Sequence, residues 1–421
     1  MSSKANALRL RLVFAGLLAM ITFCFAQTAE VLVKITAPSP HTLAGLPLQI
    51  CLHSEAYMLA TINPELLGAL QQRGAAYEIL DTDPFSEPYY IFTRTPHAAG
   101  KTLPATGKML LEERDAVLLK VSEQNAQQLA QQGWQLNRIF PRALPLRRAR
   151  VGFAPQMPAS TASLHLIQSV SAQISDSSVA RYLQRLEAFR TRYSFSDSIV
   201  AARNWLAAQF QSMGYSDVRF DPFPVYQSLQ QNVVATKPAA ISTARVIVIG
   251  GHYDSILFDA DPMLFAPGVD DDGTGTAGTL ELARVFAGTD LEATLMFVPF
   301  AAEEQGLWGS SHFAETAYQS GMNIVLMLNM DMIGNVADQD LDMNILTDNQ
   351  GRGYAQLFAQ LTTQHTTLIP VLGTSGANSD HFPFQQYGFP ALFIQEGDFS
   401  PNWHLSTDVM SNINVPYITS V

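Results

Sequence analysis

The sequence predicts an α/β fold: a three-layer α/β/α sandwich with a mainly parallel mixed sheet, preceded by a small α+β N-terminal domain. Three observations carry this. In the second half, apolar runs of strand length alternate with stretches of helical period, the pattern of a sheet covered on both faces. Acidic and histidine motifs follow those runs: Arg245–Gly250 precedes His252, Leu295–Phe300 precedes Glu303 and Glu304, and Ile324–Leu328 precedes Asp331. Loops beyond the carboxyl ends of parallel strands form the binding crevice of such sheets, so residues distant in sequence converge there. The first 140 residues show a different periodicity and none of these motifs.

Taken in order, Lys4, Arg9 and Arg11 precede an apolar stretch, Leu12–Phe25, and then Ala26. A basic region, an apolar core and a small residue are the parts of a secretory signal, so residues 1–26 are expected to be a signal peptide and the protein secreted or periplasmic. The stretch of 14 residues is short of the roughly 20 that span a bilayer. No other segment is long and apolar enough, so no transmembrane span is expected after signal removal. A lipid anchor on Cys24 is the alternative, with Phe23 standing where a small residue is expected. Cleavage after Ala26 would leave Cys51 as the lone cysteine, and stability must then come from the core.

Residues 27–140 carry two β-α-β-like patterns, Leu48–Leu52, Pro64–Gln72 and Tyr77–Leu80, then Ala116–Val121, Glu123–Gln131 and Trp134–Ile139. With extra strands at Tyr89–Thr93 and Met109–Leu111, they suggest one α+β sandwich of ferredoxin-like type, either a propeptide-like module or an accessory one. A Pro- and Arg-rich stretch, residues 141–160, is expected to be an exposed linker. The last domain, 161–421, opens with helical stripes through Val179, Leu183 and Leu186, then Ile199, Leu206 and Phe210; Ser196 or Asp197 caps the second and Gly214 ends it. The net charge of −12 argues against nucleic acid or an anionic membrane as partner, and the oligomeric state is not set by the sequence.

Five motifs carry chemistry: His252-Tyr253-Asp254, Asp270-Asp271-Asp272, Glu303-Glu304, Asn329-Met330-Asp331 and Ser379-Asp380-His381. Zinc takes imidazole and carboxylate ligands, and a pair of ions needs one bridging carboxylate, about two further ligands each, and an unligated base. Two histidines and three acids meet that count and leave one glutamate as the base. Neighbours at a strand end point opposite ways, so Glu304 can face a metal while Glu303 faces water. Asp254, two residues past His252, is placed to accept the other imidazole N–H and fix its tautomer. Gly273–Gly278 fits G-x-G-x-x-G, but three aspartates precede it and would repel a pyrophosphate, so no dinucleotide site is assigned.

From about Asp176 onward the chain resembles the M28 family of di-zinc aminopeptidases. The resemblance rests on Gln231–Ala235, Gly251–Ser255, Pro267–Gly273, Glu303–Leu307 with Gly309-Ser310, Asn329–Gly334 and Ser379–Phe384. It implies an enzyme that uses two Zn2+ ions to remove N-terminal residues from a peptide substrate. Asp270 would bridge the ions, Glu304 and His381 would complete one site, and His252 and Asp331 the other. Glu303 would be the general base that assists attack by water. The resemblance also implies a cis peptide between Asp270 and Asp271 and a supporting role for His404, and Met332, next to Asp331, is the best candidate to line a substrate pocket. The family pattern continues into a final helix, so by that measure the sequence stops short at Val421. Two alternatives stay open: a glutaminyl cyclotransferase of the same fold with one zinc, and a non-catalytic binding module.

Overall fold

The structure, a computed structural model, describes residues 30–36, 40–54, 56–84, 86–94, 107–112, 116–130, 134–139, 161–338 and 340–421. The expected signal peptide, 1–26, and the expected linker, 141–160, lie outside the described residues. The chain divides into two compact units, 1–86 with 141–143, and 87–140 with 144–421.

The first unit contains a four-stranded antiparallel sheet in the order β2-β3-β1-β4, from β1 (Val31–Thr36), β2 (Gln49–His53), β3 (Met58–Ile62) and β4 (Ala76–Asp81). Asn63 accepts the Glu65 amide at 2.9 Å and Pro64 opens the turn that leads into a short helix, Leu67–Gln72. A second antiparallel sheet belongs to the other unit. Its order is β6-β7-β5-β8, from β5 (Tyr89–Arg94), β6 (Lys108–Glu112), β7 (Ala116–Lys120) and β8 (Trp134–Ile139). Tyr90, Phe92, Val117 and Leu119 alternate onto one face and form its core with Ala126 and Leu129 of the helix Glu123–Ala130. The strands expected from Leu48 to Ile139 are present, but they form two separate sheets rather than one ferredoxin-like sandwich. Alternation reveals a strand; the partner it pairs with depends on contacts distant in sequence.

The large sheet has eight strands in the order β15-β14-β16-β13-β11-β12-β10-β9. Its centre, β16 (Ala391–Glu396), β13 (Asn323–Met330), β11 (Arg245–His252) and β12 (Thr294–Phe300), is parallel throughout. The antiparallel hairpin of β9 (Asp217–Val225) and β10 (Ser228–Lys237) extends one side. On the other side β14 (Asp342–Thr347) pairs antiparallel to β16 and parallel to β15 (Ile369–Thr374).

Helices cover both faces. Phe297 and Phe300 point to opposite sides of β12 because side chains alternate along a strand. Phe297 joins the core built by Leu183, Leu206, Phe210 and Leu280, from the helices Asp176–Glu187, Ser198–Ser212 and Gly275–Phe286. Phe300 packs edge-on to Phe313 and Phe384, from the helices Trp308–Gln319 and His381–Gln386. The helices fall where the apolar stripes place them, and Ser175 caps the first through the Ser178 amide. Among the described residues no helix is long and apolar enough to cross a membrane.

Candidate metal centre

Each central parallel strand hands at least one group to the loop at its carboxyl end. His252 ends β11, Glu303 and Glu304 follow β12, Asp331 follows β13, and His404 lies in the loop after β16. Asp271 comes from the turn between β11 and the helix Gly275–Phe286. Its carboxylate lies between two imidazoles: Oδ1 is 3.0 Å from His252 Nε2, and Oδ2 is 2.9 Å from His404 Nε2. On the His404 side, Glu304 Oε2 stands 2.9 Å from the same Nε2. On the His252 side, Asp331 Oδ1 is 3.7 Å and Glu303 Oε2 4.0 Å from Nε2. Ligand-type atoms of His252, Asp271 and Glu304 all lie within 4.8 Å of one another, as do those of His252, Asp272 and Asp331.

Asp272 is the less available carboxylate of the two, because its oxygens are committed to the backbone. Oδ2 accepts the His252 amide at 2.9 Å and Oδ1 the Gly275 amide at 2.7 Å. It stitches the turn to β11 at Gly251, where a Cβ would collide with Asp272 and the Met330 carbonyl. Other groups hold the cluster from behind. Asp254 accepts the Glu303 and Glu304 amides at 3.1 and 3.3 Å, and Ser194 donates to it at 3.1 Å. The His252 Nδ1 lies 3.1 Å from the main-chain oxygen of Asp254 and 3.7 Å from its carboxylate. Asp254 therefore orients the imidazole through its carbonyl, while its carboxylate fixes the glutamate turn. Ser379 donates to Asp331 at 2.5 Å and accepts from Asn329 at 2.7 Å.

Arg192 is fully buried and ties two of these loops together. Nε donates to the Tyr253 carbonyl at 2.8 Å, Nη1 to Pro267 at 2.5 Å and Nη2 to Gly268 at 2.6 Å. Asp408 accepts the Asp270 and Asp271 amides at 2.7 and 3.1 Å.

The structure brings together His252, Glu303, Glu304 and Asp331 from the expected set and leaves Asp270 and His381 outside. Asp270 Oδ1 turns away to the Gly334 amide at 3.0 Å, which Glu396 also accepts at 3.1 Å. The place between the two imidazoles is taken by Asp271, and the cis peptide lies one residue later than expected, between Asp271 and Asp272. His381 opens a helix, stacks on Phe393 with centroids 4.8 Å apart, and shares a hydrogen bond with the Gly376 carbonyl at 3.1 Å. Burial pushes its pKa down to about 3, and its Nδ1 is buried without a hydrogen-bond partner. The second imidazole of the cluster is His404, which the sequence reading gave only a supporting role. Its signal was the segment His404–Asp408, in which Asp408 reaches back to the Asp270–Asp271 turn. Met332 is buried beside Asp331, with a left-handed φ of 56°.

Electrostatics tests whether these residues suit a cation. Burial raises Glu303 well above the usual carboxyl range, reinforced by Glu304, Asp380 and Asp331. Burial likewise pushes Glu304 up to about 7, with Asp271 adding to it. Burial works against His252, but Glu303, Asp331 and Asp271 outweigh it and raise its pKa well above the ordinary value. The same contest lifts His404 to about 9 through Glu304 and Asp271. Asp331 Oδ1 and Glu304 Oε1 are buried oxygens without a hydrogen-bond partner. Buried carboxylates crowded together are stable only with compensating positive charge or metal. Two imidazoles, three carboxylates and unmet oxygens form a donor set that fits divalent metal of the zinc type.

Comparison with known proteins agrees with this fold. The profile of peptidase family M28 matches residues 232–421. A leucine aminopeptidase 1 of Coccidioides posadasii (strain C735) is 31% identical over 270 residues, covering 60% of this chain and 68% of the relative. A probable zinc metalloprotease of Pyrenophora teres f. teres (strain 0-1) is 36% identical over 197 residues, which is 41% of this chain and 42% of the relative. The chain spans about half the length of the Pyrenophora relatives it matches, 42% and 53%. Among solved structures, the LapA aminopeptidase of Legionella pneumophila superposes with a TM-score of 0.63 at 22% identity, covering 79% of this chain and 95% of that one. A glutaminyl cyclase of Bacteroides thetaiotaomicron shares the fold with a TM-score of 0.51 at 19% identity, covering 59% and 95%. On the strength of the sequence matches, the chain belongs to peptidase family M28.

Proposed function

We propose that this protein is an exported zinc aminopeptidase that hydrolyses the N-terminal residue from peptides with two metal ions. The observation that carries the reading is the Asp271 carboxylate set between His252 and His404, with Glu303 beside it. Asp271 would bridge the ions, His252 and Asp331 would hold one, and Glu304 and His404 the other. Bound zinc would supply Lewis acidity and make water acidic enough to be a nucleophile near neutral pH. Glu303 takes the proton from the attacking water and returns it to the leaving amine. Asp254 holds Glu303 and Glu304 in register through their amides, so base and ligand cannot shift independently. The free amine of the substrate, a cation, is drawn to the surplus of buried acids. Export rests on the basic and apolar segment at residues 1–26.

The named relatives support the aminopeptidase, and the complete two-sided donor set favours it over the cyclase, which would use one zinc. The deciding experiment combines metal counting with a panel of aminoacyl amides. About two zinc ions per chain, hydrolysis of the amides, loss of activity with chelator and recovery on adding zinc are expected. One tightly bound ion and cyclisation of an N-terminal glutamine would replace this reading with the cyclase.

The sheet formed by β5–β8 has a place in the same proposal. Phe258, in the loop after His252, packs against the core of that sheet and meets the His404 ring edge-on, centroids 4.6 Å apart. The sheet thus backs the loop that walls the metal centre, and it acts as a propeptide-like cover. Proteolysis between Pro141 and Ala159 with removal of the N-terminal fragment should raise peptidase activity severalfold. Unchanged activity after a clean cut would leave an accessory role.

A further inference from the structure

Beside the Glu303–Glu304 turn, a cation is held against two aromatic rings. The guanidinium carbon of Arg138, in β8, lies 5.1 Å from the ring centre of Trp308 and 5.8 Å from that of Tyr226. The two rings meet edge to face, centroids 5.5 Å apart. Trp308 is fixed to the segment that carries Glu303 and Glu304: its indole N–H donates to the Gln305 carbonyl at 3.0 Å, and its amide to the Ala302 carbonyl at 3.1 Å. Tyr226 stands at the tip of the β9–β10 hairpin with a left-handed φ of 50°, and Phe195 backs its ring at 6.1 Å. Gly306 admits the strand that brings Arg138. A Cβ there would lie 2.9 Å from the Arg138 amide nitrogen, and the φ of +114° suits glycine alone.

We propose that Trp308 and Tyr226 form a cation subsite of the cleft, and that Arg138 occupies it as a resident mimic of a basic peptide side chain. The faces of both rings carry the negative quadrupole that attracts a guanidinium or ammonium. Trp308 follows the proposed base by five residues and is tied by hydrogen bonds to the segment that carries it, which sets the rings beside the Glu303–Glu304 turn. The net charge of −12 favours association with cationic peptides in general. That the ligand is a substrate side chain rests on the peptidase reading; the cation subsite itself does not.

The test uses the full chain and involves no turnover. Arg138→Ala removes the resident guanidinium, and binding of N-acetyl-argininamide is compared by calorimetry with that of N-acetyl-citrullinamide, its neutral isostere. The acetyl group leaves no free amine for an aminopeptidase, so failure of the peptidase reading does not touch the result. Arg138→Ala should bind the arginine probe about 10-fold more tightly than the citrulline probe, which corresponds to about 1.4 kcal/mol. The preference should vanish in the Arg138→Ala, Trp308→Leu double variant. Equal affinities for the two probes, or a preference that survives Trp308→Leu, would overturn the proposal. Arg138→Met, which keeps the aliphatic stem, carries the same comparison should Arg138→Ala fail to fold by near-UV circular dichroism.

Discussion

Glu303→Gln should reduce the rate of peptide hydrolysis by at least about 100-fold, the low end for a general base, while zinc content stays that of the wild type. The change keeps the shape and the backbone amide that Asp254 accepts at 3.1 Å, so the glutamate turn keeps its anchor. It removes only the group that receives and returns the proton. Glu303 Oε2 stands 4.0 Å from His252 Nε2, beside the ligand cluster rather than between the two imidazoles, so metal should be retained. Steady-state kinetics paired with elemental analysis of the same sample checks both halves. Near wild-type turnover would show that another group moves the proton; loss of zinc with loss of rate would make Glu303 a ligand.

The second large effect separates two histidines. His404→Ala should lose one ion and about 1000-fold in rate, since the Lewis-acid contribution of a catalytic metal is several kcal/mol. His381→Ala should keep both ions and stay within about threefold of wild-type activity at low temperature. Its cost falls on stability, about 2 kcal/mol or more, because a buried ring stacked on Phe393 is replaced by a cavity. Zinc content, kcat and thermal midpoint measured on both variants distinguish the two. Zinc loss in His381→Ala with full retention in His404→Ala would restore the ligand set first expected from the sequence.

How much was legible follows from the same residues. His252, Glu303, Glu304 and Asp331 could be read because each directly follows an apolar run, and strand ends in a parallel sheet converge by topology. The slip from Asp271 to Asp270 arises inside a run of three identical residues. Which aspartate faces the imidazoles there depends on the local turn, where Asp271 (φ −103°, ψ 101°) and Asp272 (φ −118°, ψ 57°) both leave helical geometry. His404 was underweighted because it stands in an irregular loop with a left-handed φ of 55°, eight residues beyond the end of β16, where no periodicity points it inward. His381 follows a motif of the right composition, yet its ring turns onto Phe393. The strands before residue 140 were visible by alternation, but their division into two sheets is a matter of pairing distant in sequence.

Among the described residues, six other than glycine have a positive φ, and four of them lie on the segments that carry the cluster: Ala302 and Leu307 around the glutamate turn, Met332 after Asp331, and His404 itself. Each such conformation costs roughly 1–2 kcal/mol that the surrounding packing must over-determine. The chain thus concentrates conformational tension where its ligands are presented. Substitutions that merely relax these backbones, such as Ala302→Gly, would be favoured by selection for heat resistance alone, yet they would free the glutamate turn to wander. A lineage of this protein under pressure for thermostability is therefore constrained to find its gains elsewhere, in the cores around Phe297 and Phe300, and to leave the tense turns as they are.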